Sequence, residues 1–121
     1  MNFLMIGDVV GRAGRIALQS HLADIKRKFE IDFTIVNAEN SAAGFGITPK
    51  IYEELISMGV DAVTLGNHSW DKNEIIEYME NNPDHSIIRP LNYLNNSPGR
   101  GYKIFHHSSG CLLYTSDAAD E

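Results

Sequence analysis

Five side chains that could bind metal ions or transfer protons follow short apolar runs in this sequence: Asp8, Glu39, Asn40, Asn67 and His68. Carboxylate, amide and imidazole groups are the ligands that hard and borderline divalent cations take in proteins. An imidazole also titrates near neutral pH, which suits it to general acid–base catalysis. The five groups therefore predict metal-assisted or acid–base chemistry if the fold brings them together.

Each of these groups, taken singly, also has an ordinary structural interpretation. An aspartate after a strand commonly caps a helix, and the pair Glu39-Asn40 is typical of a loop. The segment Gly66-Asn67-His68 is a stronger signal, because glycine permits a tight turn and two functional side chains then leave the strand end together. The functional interpretation depends on all three clusters meeting at one edge of a sheet.

The apolar pattern predicts the alternating elements that would position these groups. Predicted strands lie at 2–6, 33–36, 62–65 and 86–89, predicted helices at 15–29, 49–58 and 72–80, and the start of a hairpin at 102–105. This alternation is typical of an α/β fold with right-handed βαβ units and a mostly parallel sheet. Ligands of such sheets bind beyond the carboxyl ends of the strands, where the five polar groups are expected.

Local signals also predict where two of the helices begin. Thr48 followed by Pro49 is typical of an N-cap and a first helical residue. Asp71 and Glu74 have the spacing of a capping box, which predicts the start of the third helix. His85 follows a proline and an aspartate, and we expect it to lie in a solvated loop.

Composition and charge exclude several classes of function. The 121 residues include 10 Lys and Arg against 16 Asp and Glu, a net charge of −6, which argues against binding of duplex nucleic acid or of an anionic membrane. No apolar run approaches the ~20 residues of a membrane span, and the first residues lack the basic region of a signal peptide. A single cysteine cannot form an internal disulfide, so we expect a cytoplasmic protein.

The last eleven residues, Cys111 to Glu121, differ in character from the rest of the chain. They resemble the in-frame translation of a transposase mosaic-end adapter used in sequencing libraries. A natural acidic tail is the alternative interpretation. We therefore expect a truncated domain over residues 1–110 and a non-native tail over residues 111–121.

Three segments carry a resemblance to a known family: Ile6-Gly-Asp-Val-Val-Gly11, Asn37-Ala-Glu-Asn40-Ser-Ala-Ala-Gly44 and Leu65-Gly-Asn-His-Ser-Trp-Asp71-Lys. In these segments the chain resembles the calcineurin-like metallophosphoesterases, and more narrowly the bacterial YmdB-type branch. The resemblance runs from Met1 to about Phe105. It implies the N-terminal portion of a metallophosphoesterase-like α/β sandwich with the element order βαβαβα.

The resemblance also implies a role for each of the five polar residues. Asp8 and Asn40 would bind a first metal, Asn67 a second, and Glu39 would bridge the two. His68 would lie by the scissile phosphate as proton donor or charge stabiliser. The implied cofactors are two divalent ions (Fe, Mn or Zn), and the implied activity is hydrolysis of small phosphodiesters such as 2′,3′- or 3′,5′-cyclic nucleotides. The expected partner is thus a small molecule and neither duplex nucleic acid nor a membrane. Assembly into a homo-oligomer is compatible with these expectations.

The chain departs from the family in its late histidines. The family uses three histidines from later loops to complete both metal shells, whereas here only His106 and His107 come late, and neighbouring side chains on a strand point to opposite faces. We therefore expect this fragment to be inactive alone and to expose an apolar face of its sheet. The alternative is a non-catalytic protein that binds metal or nucleotide on the same fold.

Overall fold

The computed structural model describes residues 1–110 and 112–116 and shows an α/β architecture. In chain order the elements are β1 (Phe3–Ile6), α1 (Gly11–Lys28), β2 (Phe33–Asn37), α2 (Pro49–Ser57), β3 (Ala62–Thr64), α3 (Glu74–Asn81), β4 (Ile87–Ile88), β5 (Tyr102–His106) and β6 (Leu112–Ser116). The predicted strands and helices are all found. Their order confirms the predicted α/β class.

Strands β1 to β4 form one parallel sheet in the order β1-β2-β3-β4. Met5 pairs with Ile35, and Val36 pairs with Val63, so neighbouring strands run side by side in sequence order. Each strand-helix-strand unit returns the chain to the next position in the sheet. The carboxyl ends of β1, β2 and β3 therefore lie next to one another, as the sequence predicts.

The main hydrophobic core fills one face of this sheet. It unites helix residues such as Leu22 and Leu55 with Val36 and Val63 from the central strands, and all four side chains are buried. This burial is what positions the sheet under its helices, because apolar area removed from water is the dominant favourable term in folding.

The opposite face of the sheet carries a smaller apolar cluster. Phe33 packs edge-on against Phe105 of β5, with ring centroids 5.1 Å apart. On the neighbouring strand β1, Phe3 is 47% exposed and Met5 is 76% exposed. The expected exposure of an apolar face is therefore limited to β1, because Phe33, Ile35 and Ala62 on the same face are buried.

Two helix starts differ in how well local sequence predicted them. Thr48 caps α2 as predicted, because its hydroxyl accepts a hydrogen bond from the Ile51 amide at 3.3 Å. Helix α1 begins at Gly11, four residues before the predicted start at Arg15. The sequence pattern does not predict this first turn, because glycine is a poor helix former. Gly11 has a φ of +55°, which turns the chain into the helix.

The predicted capping box of the third helix is wrong. Helix α3 begins at Glu74, and its N-cap is Asn73, which makes no side-chain capping hydrogen bond. Asp71 lies outside the helix and contacts His68 instead. Asp71 lies three residues from both His68 and Glu74. The spacing in the sequence therefore does not show which of the two it contacts.

The predicted hairpin is confirmed, because β5 pairs antiparallel with β6. Strand β6 falls within residues 111–121, the segment predicted to be non-native, whereas Cys111 and residues 117–121 lie outside the described residues. The division of the chain at residue 110 stays a prediction. Of the helices that the structure describes, none combines the length and the apolarity that a membrane crossing requires.

Candidate metal centre

Main-chain hydrogen bonds join the segments after β1 and β2 to each other, and they join the segment after β2 to the end of β3. The Val9 amide donates to the Asn37 carbonyl at 3.1 Å, and the Gly11 amide donates to the Asn40 carbonyl at 2.9 Å. The Ala38 amide in turn donates to the Thr64 carbonyl at 3.0 Å. The segments that carry Asp8, Glu39 and Asn40 are thus fixed to one another at one edge of the sheet, next to the end of β3.

Asp8 and Asn40 are in direct contact at this edge. The Asn40 side-chain amide donates to both carboxylate oxygens of Asp8, at 2.9 and 3.0 Å. Asp8 is exposed, while Asn40 is partly buried. Asp8 and Asn40, which we predict to share one metal, thus follow different strands and are in contact, and their role as metal ligands stays a prediction.

Glu39 presents a buried oxygen that lacks a partner. Its Oε2 atom is fully buried and makes no hydrogen bond within the part of the chain that the structure describes. An unpartnered buried polar atom costs about 1–3 kcal/mol, and more when it is charged. A cation bound at this oxygen would remove that cost.

Gly66 explains how the Glu39 carboxylate fits against the loop after β3. A Cβ added to Gly66 would overlap the carboxyl group of Glu39, so a larger residue at position 66 would displace it. The sequence pattern indicates only that this glycine permits a tight turn. The structure shows that its missing side chain makes room for a neighbouring carboxylate.

Asn67 and His68 leave the same loop directly after Gly66. Asn67 is exposed, and His68 is partly buried, with its Nδ1 atom 2.7 Å from Oδ2 of Asp71. The ring of Phe45 packs edge-on against the His68 ring, with centroids 5.4 Å apart. Sequence reasoning missed both Asp71 and Phe45 as neighbours of His68.

Hydrogen bonds to the Gly66 carbonyl hold this loop in place. The buried Ser69 donates to it through its amide at 3.2 Å and through its hydroxyl at 2.5 Å. The hydroxyl of Tyr93 donates to the same oxygen at 2.8 Å. Tyr93 lies in the segment after β4, and its local sequence does not predict the hydrogen bond to Gly66.

The remaining histidines lie elsewhere. His106 is exposed, and His107 is held by its own loop, where its Nδ1 atom lies 2.8 Å from the Ser109 hydroxyl. His85 corrects our expectation of a solvated loop residue, because only 6% of it is exposed and its Nδ1 accepts a hydrogen bond from the Ile87 amide. Burial, with the positive charges of Arg100 and Lys103, lowers the pKa of His85 to about 4.

The donor chemistry of the strand-end cluster fits a divalent cation. Within the part of the chain that the structure describes, no three His, Cys, Asp or Glu side chains form a group that could hold a metal. The candidate centre combines two carboxylates, Asp8 and Glu39, with two amides, Asn40 and Asn67. Amide oxygens complete a shell of oxygen ligands without adding charge. The orphaned Glu39 oxygen and the space that Gly66 leaves for it both agree with a bound ion.

Comparison with known proteins places this arrangement in a family. The family model for the YmdB-like protein matches residues 4–115.

The chain belongs to the YmdB-like family.

Relatives of this YmdB-like chain are longer proteins. The 2′,3′-cyclic-nucleotide 2′-phosphodiesterase of Bacillus subtilis (strain 168) is 46% identical over 101 residues, which cover 84% of this chain and 38% of that protein. A hypothetical protein from Thermus thermophilus has 37% identity and a TM-score of 0.87, over 98% of this chain and 44% of that one. A phosphatase from Mycoplasma pneumoniae has 33% identity and a TM-score of 0.84, over 96% and 42%.

These matches confirm the predicted family and fold. The YmdB-like chain spans about two fifths of the length of the relatives that it matches. The activities and substrates of those longer proteins therefore apply to this chain as a proposal.

Proposed function

We propose that this YmdB-like chain supplies the N-terminal part of the active site of a dinuclear-metal phosphodiesterase. Its substrates would be small phosphodiesters, with 2′,3′-cyclic nucleotides first and 3′,5′-cyclic nucleotides second. One observation carries the proposal: the buried Glu39 oxygen, which has no hydrogen-bond partner among the described residues, lies at the sheet edge that also joins Asp8 to Asn40. The name of the Bacillus subtilis relative supports the choice of substrate.

Each residue of the proposed centre has a definite task. Asp8 and Asn40 would hold a first ion and Asn67 a second, with Glu39 shared between them. Bound Fe, Mn or Zn would stabilise negative charge on the phosphoryl oxygens. His68 would stand beside the scissile phosphate and give a proton to the leaving oxygen, or stabilise its charge.

The proposed partner is a small phosphodiester and neither duplex nucleic acid nor a membrane surface. The net charge of −6 supports this choice, because it disfavours binding of a polyanion. A homo-oligomer is compatible with the proposal. A cytoplasmic location, expected from the single cysteine, is part of it.

Metal binding by the 121-residue chain is the first test. Titration calorimetry with Mn²⁺ should show binding that weakens at least ~10-fold in Glu39→Gln, because one negative ligand becomes a neutral amide. Glu80→Gln is the matched control, since Glu80 is an exposed carboxylate on α3. Equal Mn²⁺ affinity in the wild type and in Glu39→Gln would refute the proposed centre.

Hydrolysis is the second test, and it separates an enzyme from a binding protein. Residues 1–105 can be joined to the part of the Bacillus subtilis relative that lies beyond the aligned region, and the product assayed with 2′,3′-cyclic AMP and divalent ions. We expect metal-dependent hydrolysis that is lost in Asp8→Asn, Glu39→Gln and Asn67→Ala. Nucleotide binding without turnover in any divalent metal would favour the non-catalytic alternative.

A further inference from the structure

Asp71 is bound to an imidazole and not to the start of a helix. Helix α3 begins three residues later, at Glu74, and its N-cap is Asn73. The Asp71 carboxylate instead lies 2.7 Å from the Nδ1 atom of His68, and the two side chains are 39% and 30% exposed. An acidic residue at an N-cap would accept hydrogen bonds from the first backbone amides of the helix, whereas Asp71 faces the His68 ring.

The contact selects one tautomer of the neutral His68 ring. An ionised carboxylate only accepts hydrogen bonds, so the imidazole nitrogen that faces it must carry a hydrogen. The proton of the neutral ring is therefore on Nδ1, and Nε2 is the nitrogen left free to face a ligand. A carboxylate that orients an imidazole in this manner is a recurrent device at catalytic histidines.

Two further contacts restrict the movement of the His68 ring. The Phe45 ring meets it edge-on at an interplanar angle of 86°. The loop that carries Phe45 packs closely against the turn, since a Cβ on Gly46 would come within 3.0 Å of the His68 carbonyl oxygen and 3.4 Å of Cβ of Asp71. The backbone at Gly46 has a φ of +74°, which also favours glycine there. Asp71 and Phe45 thus hold the ring from different elements.

We propose that Asp71 is a positioning residue for His68 in the phosphodiester hydrolysis proposed above, on which this inference rests. It fixes the Nδ1–H form and the ring orientation, so that Nε2 faces the leaving oxygen. In the hydrolytic step a water oxygen forms the new bond to phosphorus, and the bond from phosphorus to the leaving oxygen breaks. The leaving oxygen takes the proton that Nε2 carries when both ring nitrogens are protonated. The attacking water loses a proton to solvent, and solvent returns a proton to Nε2.

Nitrogen NMR of the 121-residue chain tests the positioning directly, without any need for activity. At a pH where the ring is neutral, His68 should show a pyrrole-like Nδ1 signal and a pyridine-like Nε2 signal. In Asp71→Ala and Asp71→Asn the Nε2–H form should become the major one. His85 is an internal reference with the opposite form, because its Nδ1 accepts from the Ile87 amide.

The controls for this measurement separate positioning from folding. Glu74→Gln removes a nearby exposed charge at the start of α3 and should leave the His68 signals unchanged. Unchanged His85 signals show that a variant is folded. The proposal is overturned if wild-type His68 is mainly Nε2–H, or if folded Asp71→Asn retains the Nδ1–H form.

Kinetics of the chimeric enzyme described above supply the second readout. Asp71→Asn should lower kcat for 2′,3′-cyclic AMP by about 10–100-fold and leave KM within about twofold. With bis(4-nitrophenyl) phosphate the loss should be much smaller, because 4-nitrophenolate leaves without a proton. Equal losses on both substrates would overturn the inference, whereas absence of hydrolysis in the unmutated chimera would refute the proposed function and leave the NMR result to stand alone.

Discussion

At the scale of single residues, the environment of a group decides its chemistry more than its type does. His68 and His85 are both partly or fully shielded imidazoles, yet they are held through opposite contacts. Nδ1 of His68 faces a carboxylate, whereas Nδ1 of His85 accepts a main-chain hydrogen bond. Of these two histidines, His68 alone lies at the edge where the strands end, so His68 is the one that is placed to contact a ligand there.

Acid should destabilise the protein through His85. Its pKa is lowered from 6.5 in the free side chain to about 4, so between these values the unfolded state binds more protons than the folded state. The stabilisation is complete above about pH 6.5 and is lost as the pH falls toward 4, which amounts to about 3 kcal/mol over the whole range. Urea unfolding at pH 7 and pH 5 should therefore show a loss of about 2 kcal/mol in the free energy of unfolding. In His85→Asn, which keeps an acceptor for the Ile87 amide, this pH dependence should shrink, and an unchanged pH dependence would contradict the assignment.

At the scale of elements, local sequence predicted those boundaries that local forces determine. The start of α2 was predictable because Thr48 and Pro49 act within one turn. The start of α3 was not, because Asp71 had two partners at the same spacing and the tertiary arrangement decided between them. The burial of His85 was equally hidden, because its neighbours come from distant parts of the chain. Lys103 of strand β5, for example, donates through its ammonium group to the His85 carbonyl at 2.8 Å.

Removing the α2 cap should cost measurable stability. Thr48→Ala deletes the hydroxyl that accepts from the Ile51 amide, and we expect a loss of about 0.5–2 kcal/mol in the free energy of unfolding. Thr48→Ser keeps the hydroxyl and should stay within about 0.5 kcal/mol of the wild type. Denaturant unfolding of both variants checks this, and equal losses would mean that the capping hydrogen bond contributes nothing.

At the scale of the whole molecule, the sequence predicted the sheet and the meeting of its polar clusters but not their exact contacts. Parallel strands in sequence order bring Asp8 to Asn40 by topology alone. The close approach of Glu39 to Gly66 depends instead on the packing of two loops, which no local pattern encodes. The exposed residues Phe3 and Met5 show that this part of the molecule leaves apolar area uncovered.

Self-association should follow from that exposed strand. β1 stands at the edge of the sheet and presents Met5 at 76% exposure, so we expect the chain to associate as its concentration rises. Met5→Lys should reduce association, as measured by analytical ultracentrifugation, with little change in stability. Ile16→Lys on α1 is the control, because Ile16 is an exposed apolar residue on a helix and lies outside the sheet edge. Equal association of Met5→Lys and wild type would rule out β1 as the contact.

The main-chain hydrogen bonds at the ends of β1, β2 and β3 have a consequence for how this site can be altered. The amides of Val9, Gly11 and Ala38 bind main-chain carbonyls, so these bonds do not depend on the side chains of the proposed metal ligands. Exchanging a carboxylate for an amide at Asp8, or an amide for a carboxylate at Asn40, changes the charge of the site and the contact between these two side chains, and it leaves the main-chain bonds in place. Single substitutions at this edge of the sheet should therefore change which metal ion the site prefers by changing the charge of its ligands.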